Sequence, residues 1–439
     1  MATYQGPRGM RDLLPADAAA FDGLQRVVQA RAERYGYPRI STPIVENKQV
    51  FLRTAGETSD AASKEMYEVS LHGTGDLALR PEGTAPVARA FLEHGLHKAP
   101  QPQRFFYWEP MFRGQRPQLL RYRQFWQWGL ECYGAEGPAA DIEIVEFTWN
   151  LFSEVGLTDV ELELNTIGDV PCRPKVRDAL VAYFTERRSE LSPESQRRLE
   201  TNVLRILDSK DPKDRAIAEG APKVRELVCD ADRAHFDAVV AGLERLGVPF
   251  RVVDGLVRGL DYYTRTVFEV ILTDPEFTKG GHIAVAAGGR YDGLVRTMGG
   301  PDVPGVGIAG GVDVLLEALR KQGVPGTETP VAEVIVLSAE QDDHADRVQL
   351  ALPLREAGFR VAIDYGGRPL EKQLESAVKH GAKVAVIRGT PEARGGNVIV
   401  RDLVKKEQRV TRLAAVVTEV GRHVQKRARP TLQGEVSGG

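Results

Sequence analysis

Long apolar runs are absent from this chain of 439 residues. No stretch of about 18 apolar residues is available to cross a bilayer, and the opening segment MATYQGPRGMRDLLP lacks the apolar core of a secretory signal. Cysteine is scarce, and Cys132, Cys172 and Cys229 form no C-x-x-C motif. We therefore expect a cytoplasmic protein without a membrane segment, a disulfide framework or a zinc ribbon.

Neither sign of charge dominates, because 58 Lys and Arg residues stand against 61 Asp and Glu residues, for a net charge of −3. A nucleic-acid partner would therefore have to bind a local basic surface. The apolar content of 42% is typical of a globular protein, and the length predicts two or three domains. His94 and His97 could share one face of a helix, but no carboxylate completes a metal site with them, so we expect a surface pair and no metal site.

Residues 1–325 show the patterns of one α+β domain. Residues 17–36 have the helical spacing of apolar side chains, whereas 104–113 and 121–133 have the composition of two connected strands. From 172 to 245 the segments are charged and amphipathic, which predicts a helical insertion inside this larger domain.

A second, smaller domain is predicted over residues 326–420. The segment KQGVPGTETP at 321–330 has the composition of a linker. Strand and helix patterns alternate after it, as is typical of an α/β domain. Residues 421–439 are basic and then glycine-rich, and we expect a flexible tail.

The stretch GVGIAGG at 305–311 spells G-x-G-x-x-G and precedes a helical pattern. A glycine loop that opens a helix can bind a phosphate through its free N–H groups. A dinucleotide site also requires a strand before the glycines and an acid about 20 residues later. Glu340 is a candidate acid, but the preceding TMGGPDVP is rich in turn residues, so we do not favour a dinucleotide site.

The segment RYRQFWQWGLEC has an unusual polar face when it is placed on a strand. A period of two puts two arginines, Phe125, Gln127 and Glu131 on one side and the tryptophans on the other. A solvated face of an antiparallel sheet is the alternative explanation. However, five arginines lie within 104–123 and Glu109 is the only acid there. Arginines bind phosphates and aromatic rings stack on bases, so the surface suits a polyphosphate.

Three further segments concentrate polar residues at turns. Glu82 and Thr84 in ALRPEGTAP precede a helix, where they either bind a ligand or cap the helix. Arg258, Tyr262 and Tyr263 in LVRGLDYYTRTVFEV lie beside an apolar strand pattern, either in a site or at a solvated edge. The glycines of AAGGRYDGLV permit a close approach of the backbone to a ligand.

Together these segments resemble the histidyl-tRNA synthetases, a family of class II aminoacyl-tRNA synthetases. FYWEPMFRGQRPQLLRYRQFWQWGLECYG resembles class II motif 2, and RGLDYYTRTVFEV, LRPEGTA and AGGRYDGL resemble the histidine-specific segments. STPIVENKQVFLRTAGETSD resembles motif 1, with Pro43 as its dimer-interface proline. The resemblance extends over nearly the whole chain. It implies a catalytic domain built on an antiparallel sheet, an anticodon-binding-like α/β domain and a homodimer.

The resemblance also implies a reaction. The carboxylate of histidine attacks the α-phosphate of ATP to give histidyl-adenylate and pyrophosphate, and the histidyl group passes to the 3′ end of tRNA(His). Such catalysis rests on positioning and charge stabilisation. By their match to the family's arginines, Arg113 and Arg258 are the expected catalytic residues on either side of the α-phosphate.

The remaining expected roles come from the same match. Glu131 and Tyr263 are expected to bind the imidazole nitrogens, with Tyr262 in the same pocket, and Glu82, Thr84 and Gln127 to hold the α-ammonium group. The expected ATP-binding residues are Arg113, Gln115, Arg121, Phe125, which stacks on adenine, and Arg258. Mg²⁺ is expected with ATP, held mainly by the phosphates and by water.

The ATP side departs from the family pattern. The glycine run 305–311 aligns with motif 3, whose Glu-Arg pair falls here on Asp313 and Val314. Valine can neither stack as a cation nor bind phosphate, and Arg320 is nearly two turns further along. An acid of the motif 2 loop is replaced by Gln115, and two leucines replace its usual basic and small residues.

Two hypotheses follow. The first is a histidyl-tRNA synthetase with a modified ATP site. The second is a non-charging paralogue that binds histidine or RNA as a regulator, like the regulatory subunit of ATP phosphoribosyltransferase. Arg113, Arg258 and the anticodon-binding-like domain favour the enzyme.

Overall fold

A computed structural model describes residues 4–55, 65–70, 73, 75–116, 120–260, 262–278, 282–324, 331–340, 344–365 and 368–425. Part of the motif 1 segment, Leu119 of the motif 2 loop and most of the predicted tail lie outside these residues. The chain packs as two compact units, Met1–Glu328 and Thr329–Gly439.

The first unit is built on a seven-stranded sheet. In spatial order its strands are β4 (Gln103–Phe112), β5 (Gln124–Tyr133), β10 (Gly305–Gly311), β9 (Ala284–Arg290), β8 (Thr264–Leu272), β6 (Val160–Thr166) and β7 (Arg251–Val252). All neighbours are antiparallel except β6 and β7. A small second sheet has the order β1 (Val45–Asn47), β3 (Leu77–Leu79), β2 (Glu68–Val69). The predicted antiparallel catalytic fold is confirmed.

Helices surround this sheet. Those of the first unit outside the insertion are α1 (Pro15–Arg34), α2 (Lys48–Ala55), α3 (Thr84–Glu93), α4 (Ala139–Glu154), α9 (Asp230–Arg245), α10 (Pro275–Thr278), α11 (Leu294–Thr297) and α12 (Val312–Lys321). Those of the insertion are α5 (Arg173–Thr185), α6 (Pro193–Thr201), α7 (Pro212–Ala218) and α8 (Val224–Leu227). Among the described residues, none of the helices has the length and apolar character to span a bilayer.

The two faces of the sheet carry different cores because side chains alternate along each strand. On one face Trp108, Trp128 and Leu130 pack in the main core with side chains of α1, α4, α9 and α12. On the other face Tyr107 and Tyr133 join a second cluster, rich in tyrosine, under α3. The predicted division of β5 into an apolar and a polar face is confirmed.

The insertion has a core of its own that ends earlier than the predicted boundary at 245. Its apolar cluster runs from Val176 on α5 to Val228. The apolar side chains of α9, by contrast, pack in the main core beside the sheet. Amphipathic spacing shows that a helix has a buried face but not what covers that face, so the sequence could not assign α9 to the sheet.

The expectation that no disulfide forms was wrong. Cys172 and Cys229 are joined by a disulfide, with their Cα atoms 5.8 Å apart and a sequence separation of 57. The two cysteines flank the insertion, so folding brings together residues that look isolated in sequence. Cys132 is free and buried.

The second unit is a five-stranded sheet with the order β12 (Val361–Ile363), β11 (Val334–Ser338), β13 (Val384–Arg388), β14 (Asn397–Asp402), β15 (Gln408–Arg412). The first three strands are parallel and the last two pairings are antiparallel. Its helices are α13 (His344–Glu356), α14 (Leu370–Lys379) and α15 (Val416–Val420). Both faces of the sheet are apolar and covered, as the predicted α/β pattern requires.

The glycine run 305–311 is a strand rather than a phosphate-binding loop. It forms β10 between β5 and β9 and leads directly into α12. A Cβ atom at Gly310 would overlap the indole of Trp128, and one at Gly305 would overlap the ring of Tyr291. The glycines therefore let large side chains of the neighbouring strands lie across β10.

We predict that Gly310→Ala lowers the free energy of unfolding of the first unit by about 1–3 kcal/mol, the usual cost of forcing an extra methyl group into a packed core. Urea denaturation followed by tryptophan fluorescence measures the change. Gly75→Ala is the matched control, because a Cβ atom there meets nothing within 4 Å. Equal stability of the two variants would contradict the packing role of β10.

Candidate active site

A cavity of about 490 Å³ opens on the tyrosine-rich face of the sheet. Five of the six predicted histidine-binding residues line it: Glu82, Thr84, Gln127, Tyr262 and Tyr263. All the predicted ATP-binding residues line it as well: Arg113, Gln115, Arg121, Phe125 and Arg258. The fold therefore brings both predicted sets to one cavity.

Four parts of the chain converge on the cavity. Phe125 and Gln127 project from β5, and Arg113 follows the last residue of the adjacent β4. Glu82 and Thr84 come from the turn that enters α3, and Tyr262 and Tyr263 precede β8. Because β4 and β5 are paired in register, Glu109 lies opposite Gln127 and Met111 opposite Phe125.

Glu131 lies beneath the cavity and does not line it. Its side chain is fully buried. Thr84 Oγ1 donates a hydrogen bond to one carboxylate oxygen over 2.7 Å, and the Tyr291 hydroxyl donates to the other. Burial raises the pKa of Glu131 to about 8, against the lowering effect of these two donors. The carboxylate is thus oriented by Thr84 above it and by Tyr291 below.

Tyr291 is a functional neighbour that the sequence reasoning missed. It lies within the AGGRYDGL segment, whose glycines attracted attention instead. A Cβ atom at Gly307 would overlap the Glu131 carboxylate and the Tyr291 hydroxyl, so the glycine of β10 makes room for this contact. The pKa of Tyr291 is raised well above its usual value, chiefly by burial.

Glu82 caps α3 and also lies at the cavity. Its carboxylate accepts hydrogen bonds from the backbone N–H groups of Thr84 at 2.7 Å and of Ala85 at 2.9 Å, in the first turn of α3. It also lines the cavity. Burial raises its pKa, although both backbone donors lower it. The hydroxyl of Thr84 binds Glu131 rather than the start of the helix.

Arg113 and Arg258 line the cavity beside these polar groups. The Nε atom of Arg113 donates to the Pro81 carbonyl over 2.8 Å, and its guanidinium lies over the Phe125 ring, 5.1 Å from the centroid. Burial lowers the pKa of Arg113. Arg258 forms an ion pair with Glu269 and lies 5.3 Å from the centroid of the Tyr263 ring. Both guanidinium groups are therefore held in place before any ligand binds.

Two buried polar atoms of described residues that line the cavity lack a hydrogen-bond partner. Within the described part of the chain, the buried Oε1 of Gln127 and the buried Nε of Arg258 have no hydrogen-bond partner. Buried polar groups in native proteins are nearly always paired, so such atoms indicate ligand contacts. Gln115 donates its amide N–H to the Tyr122 carbonyl over 3.1 Å, and Arg121 is exposed at the rim.

The region around Val314 holds a cation that the sequence reasoning did not find. Val314 and Asp313 line the cavity. The Asp313 carboxylate accepts from the Trp126 backbone N–H at 2.8 Å and pairs with Arg11 at 2.6 Å. The Arg11 guanidinium also lies 4.9 Å from the centroid of the Tyr122 ring. No local motif indicates this pair, since its members have a sequence separation of 302.

Arg320 does not substitute for the absent motif 3 arginine. It pairs with Asp17 at 2.6 Å and with Glu317 at 3.1 Å, and it does not line the cavity. Glu65 and Arg205, which were not predicted as site residues, are among the residues that line it. Arg205 comes from the short 3₁₀ helix Val203–Ile206 of the insertion.

Comparisons with known proteins are consistent over both units. The family model described as "Histidyl-tRNA synthetase" matches residues 9–315, and that described as "Anticodon binding domain" matches 332–423. The histidine–tRNA ligase of Desulforudis audaxviator (strain MP104C) is 42% identical over 417 residues, covering 95% of this chain and 98% of the relative. That of Geobacillus thermodenitrificans (strain NG80-2) is 41% identical over 409 residues, covering 92% and 95%.

Solved structures show the same likeness. The apo histidyl-tRNA synthetase of S. aureus superposes with a TM-score of 0.80 at 31% identity, covering 95% of this chain and 99% of that one. An ATP phosphoribosyltransferase regulatory subunit/histidyl-tRNA synthetase from Bacillus halodurans C superposes with a TM-score of 0.64. At 21% identity, the latter shows a shared fold alone.

Proposed function

Because this chain belongs to the histidyl-tRNA synthetase family of class II aminoacyl-tRNA synthetases, we propose that its cavity binds histidine and ATP side by side and joins them as histidyl-adenylate. The observation that carries the proposal is that one cavity is lined both by polar side chains suited to an amino acid and by two arginines suited to a phosphate. The polar side chains are those of Glu82, Thr84, Gln127, Tyr262 and Tyr263, and the arginines are Arg113 and Arg258. The enzyme is a histidine–tRNA ligase, and the remaining question is which residues perform each step.

The first step is an in-line displacement at phosphorus. A carboxylate oxygen of histidine attacks the α-phosphate, the bond to the bridging oxygen breaks and pyrophosphate leaves. Negative charge gathers on the α-phosphate oxygens in the transition state, and fixed cations stabilise it without reorganisation. Arg113 and Arg258 are suited to this role because their guanidinium groups are already held by Pro81 and Glu269.

In this proposal histidine is recognised by the uncharged and acidic polar groups at the cavity. Tyr263 and Glu131 bind the two imidazole nitrogens, with Tyr262 packed against Tyr263 at a ring distance of 4.7 Å. Glu82, Thr84 and the unpaired oxygen of Gln127 hold the α-ammonium group. A pocket with such polar atoms rejects apolar amino acids strongly, because binding them would leave these atoms buried and unpaired.

Adenine stacks on Phe125, with Gln115 and Arg121 toward the rim of the cavity. No cation projects from position 314, but Arg11 neutralises Asp313, the acid next to it. The charge that would repel the polyphosphate is thereby cancelled.

The Glu82 and Asp313 carboxylates already have partners, so Mg²⁺ fits here as an ion bound mainly by the ATP phosphates and by water, where it shields their charge.

The second step passes the histidyl group to the 3′ end of tRNA(His). The match of 332–423 to an anticodon-binding domain supports tRNA as the partner, and it also supports the ligase over the non-charging paralogue considered from the sequence. We further propose a cytoplasmic homodimer, supported by the resemblance of the segment around Pro43 to the motif 1 interface.

The proposal is tested by histidine-dependent exchange of pyrophosphate into ATP. The wild-type chain should catalyse exchange, and Arg113→Ala and Arg258→Ala should each slow it by about 10²–10³-fold, the usual loss when one transition-state contact is removed. Arg320→Ala is the control, because Arg320 lies outside the cavity. Absence of exchange by the wild-type chain at saturating ATP would refute the proposed activity.

Histidine affinity should depend on pH through Glu131. A neutral imidazole donates its N–H best to an ionised carboxylate, but a pKa of about 8 leaves Glu131 mostly protonated at neutral pH. Binding must then release that proton, so affinity should rise about fivefold from pH 7 to pH 8, following the ionised fraction. Calorimetric titration measures this rise. The rise should be absent in Glu131→Gln, and a rise of the same size in this variant would assign the titration to another group.

Arg11→Ala should raise the KM for ATP and leave the KM for histidine unchanged. An uncompensated Asp313 carboxylate beside the polyphosphate costs about 1–2 kcal/mol at the effective dielectric of a protein surface, which is roughly a tenfold rise in KM for ATP. Pyrophosphate exchange with each substrate varied in turn separates the two KM values. Val314→Arg in the Arg11→Ala background should restore the KM for ATP.

The control for this prediction is Arg26→Ala, which removes an exposed arginine of α1. Equal KM values for ATP in Arg11→Ala and in the wild-type chain would show that Arg11 serves only the fold.

A further inference from the structure

Two short segments at the ends of the insertion carry the same pair of residue types in mirrored order. Asp169 and Cys172 are separated by two residues, and so are Cys229 and Asp232. Cys172 precedes the first residue of α5, and Cys229 precedes the first residue of α9. One ligand atom from each of the four side chains lies within 4.8 Å of all the others.

This set of donors is suited to zinc. Structural zinc sites use four ligands in a tetrahedron, drawn from thiolate sulfur, imidazole nitrogen and carboxylate oxygen, and two ligands on one segment are typically two to four residues apart. Thiolates favour zinc over the hard ions Mg²⁺ and Ca²⁺. Two such segments that converge from either end of a helical insertion form a common arrangement for a structural ion.

The hydrogen bonds around the four side chains are those expected of an outer shell that orients ligands. The backbone N–H of Cys172 donates to Asp169 over 3.0 Å, and that of Asp169 donates to Asp232 over 2.7 Å. The N–H of Cys229 donates to the sulfur of Cys172 over 3.2 Å. Each of these bonds leaves its acceptor a further lone pair for a metal.

Burial and charge also fit a bound cation. Asp232 is fully buried and Cys172 nearly so, whereas Cys229 is exposed and gives an ion access from solvent. Arg265 holds both acids, with Nε 2.8 Å from Asp232 and a terminal nitrogen 3.4 Å from Asp169. Two thiolates and two carboxylates offset by one zinc ion and Arg265 leave a net charge near −1, the same as in the disulfide form, where only the two carboxylates and Arg265 are charged.

We propose that Asp169, Cys172, Cys229 and Asp232 bind one zinc ion when the thiols are reduced. The disulfide is then the oxidised state of the same pair. A thiol reductant converts it by exchange: two reductant thiols become one disulfide, and two cysteine thiols form. Zinc binding next displaces the two thiol protons, and the oxidation state of the metal does not change.

In both states the cluster closes the ends of the insertion against the catalytic sheet. Its surroundings reach the proposed histidine pocket by two routes. Arg265 is two residues from Tyr263 and has a left-handed backbone with a φ of 48°, which its ion pairs to the cluster hold in place. Arg173, next to Cys172, donates to the Tyr263 carbonyl. The zinc site would thus fix the position of Tyr263 relative to the insertion.

The test is the metal content of the full chain, purified with a thiol reductant and without chelators, then measured by plasma mass spectrometry after gel filtration. About one zinc per chain is expected. The double variant Cys172→Ser/Cys229→Ser should lose it, and Asp169→Asn/Asp232→Asn should weaken zinc binding by more than the roughly 10–100-fold that loss of outer-shell partners alone causes. Cys132→Ala is the matched control and should keep the metal, since Cys132 lies in the main core.

A second readout uses the wild-type chain and so does not depend on the folding of any variant. Cobalt(II) added to the reduced wild-type chain should give the thiolate charge-transfer and tetrahedral ligand-field absorption bands. Absence of zinc and of these bands in the reduced chain would overturn the proposal and leave a disulfide alone. An unchanged zinc content in Asp169→Asn/Asp232→Asn would show that the two aspartates are not ligands and would overturn the four-ligand site. Metal content and pyrophosphate exchange are measured separately, so either proposal can fail without the other.

Discussion

A buried carboxylate is the constraint on which the rest of the catalytic unit depends. Glu131 is fully buried, and its two oxygens are held by the hydroxyls of Thr84 and Tyr291. A buried carboxyl group is tolerated only when such donors surround it. This need explains why β10 carries glycine opposite Glu131, since any larger residue at Gly307 would occupy the space of the carboxylate. The sheet is therefore packed around a polar group that stability alone would not favour.

The same cavity combines two kinds of chemistry. Glu82, Thr84 and Tyr263 line it together with the guanidinium groups of Arg113 and Arg258. Histidine needs hydrogen-bonding groups and a polyphosphate needs cations, and the fold supplies both in one cavity. Pro81 and Glu269 hold the two arginines, and Tyr291 holds Glu131. These side chains therefore need little rearrangement when the reaction takes place.

Much of this could be predicted from the sequence because the signals are local. Period-two alternation along β5 identified the strand face that lines the cavity, and the turn residues around Glu82 identified a second lining segment. The missed features are non-local. Arg11 pairs with Asp313 at a sequence separation of 302, and Cys172 is bonded to Cys229 at a sequence separation of 57. Tyr291 needed the register of β9 and β10 to be recognised as the partner of Glu131. Likewise, the pattern of α9 showed a buried face without showing that the main sheet covers it.

The central claim is that one cavity holds the imidazole close to the buried Glu131 and the α-phosphate between the two arginines. The most direct measurement is a crystal structure of the chain with a sulfamoyl analogue of histidyl-adenylate. The account predicts the imidazole within hydrogen-bond distance of Tyr263 and Glu131, and the sulfamoyl group, which replaces the α-phosphate, between Arg113 and Arg258. An imidazole that contacts neither Glu131 nor Tyr263, or a sulfamoyl group remote from both arginines, would contradict it.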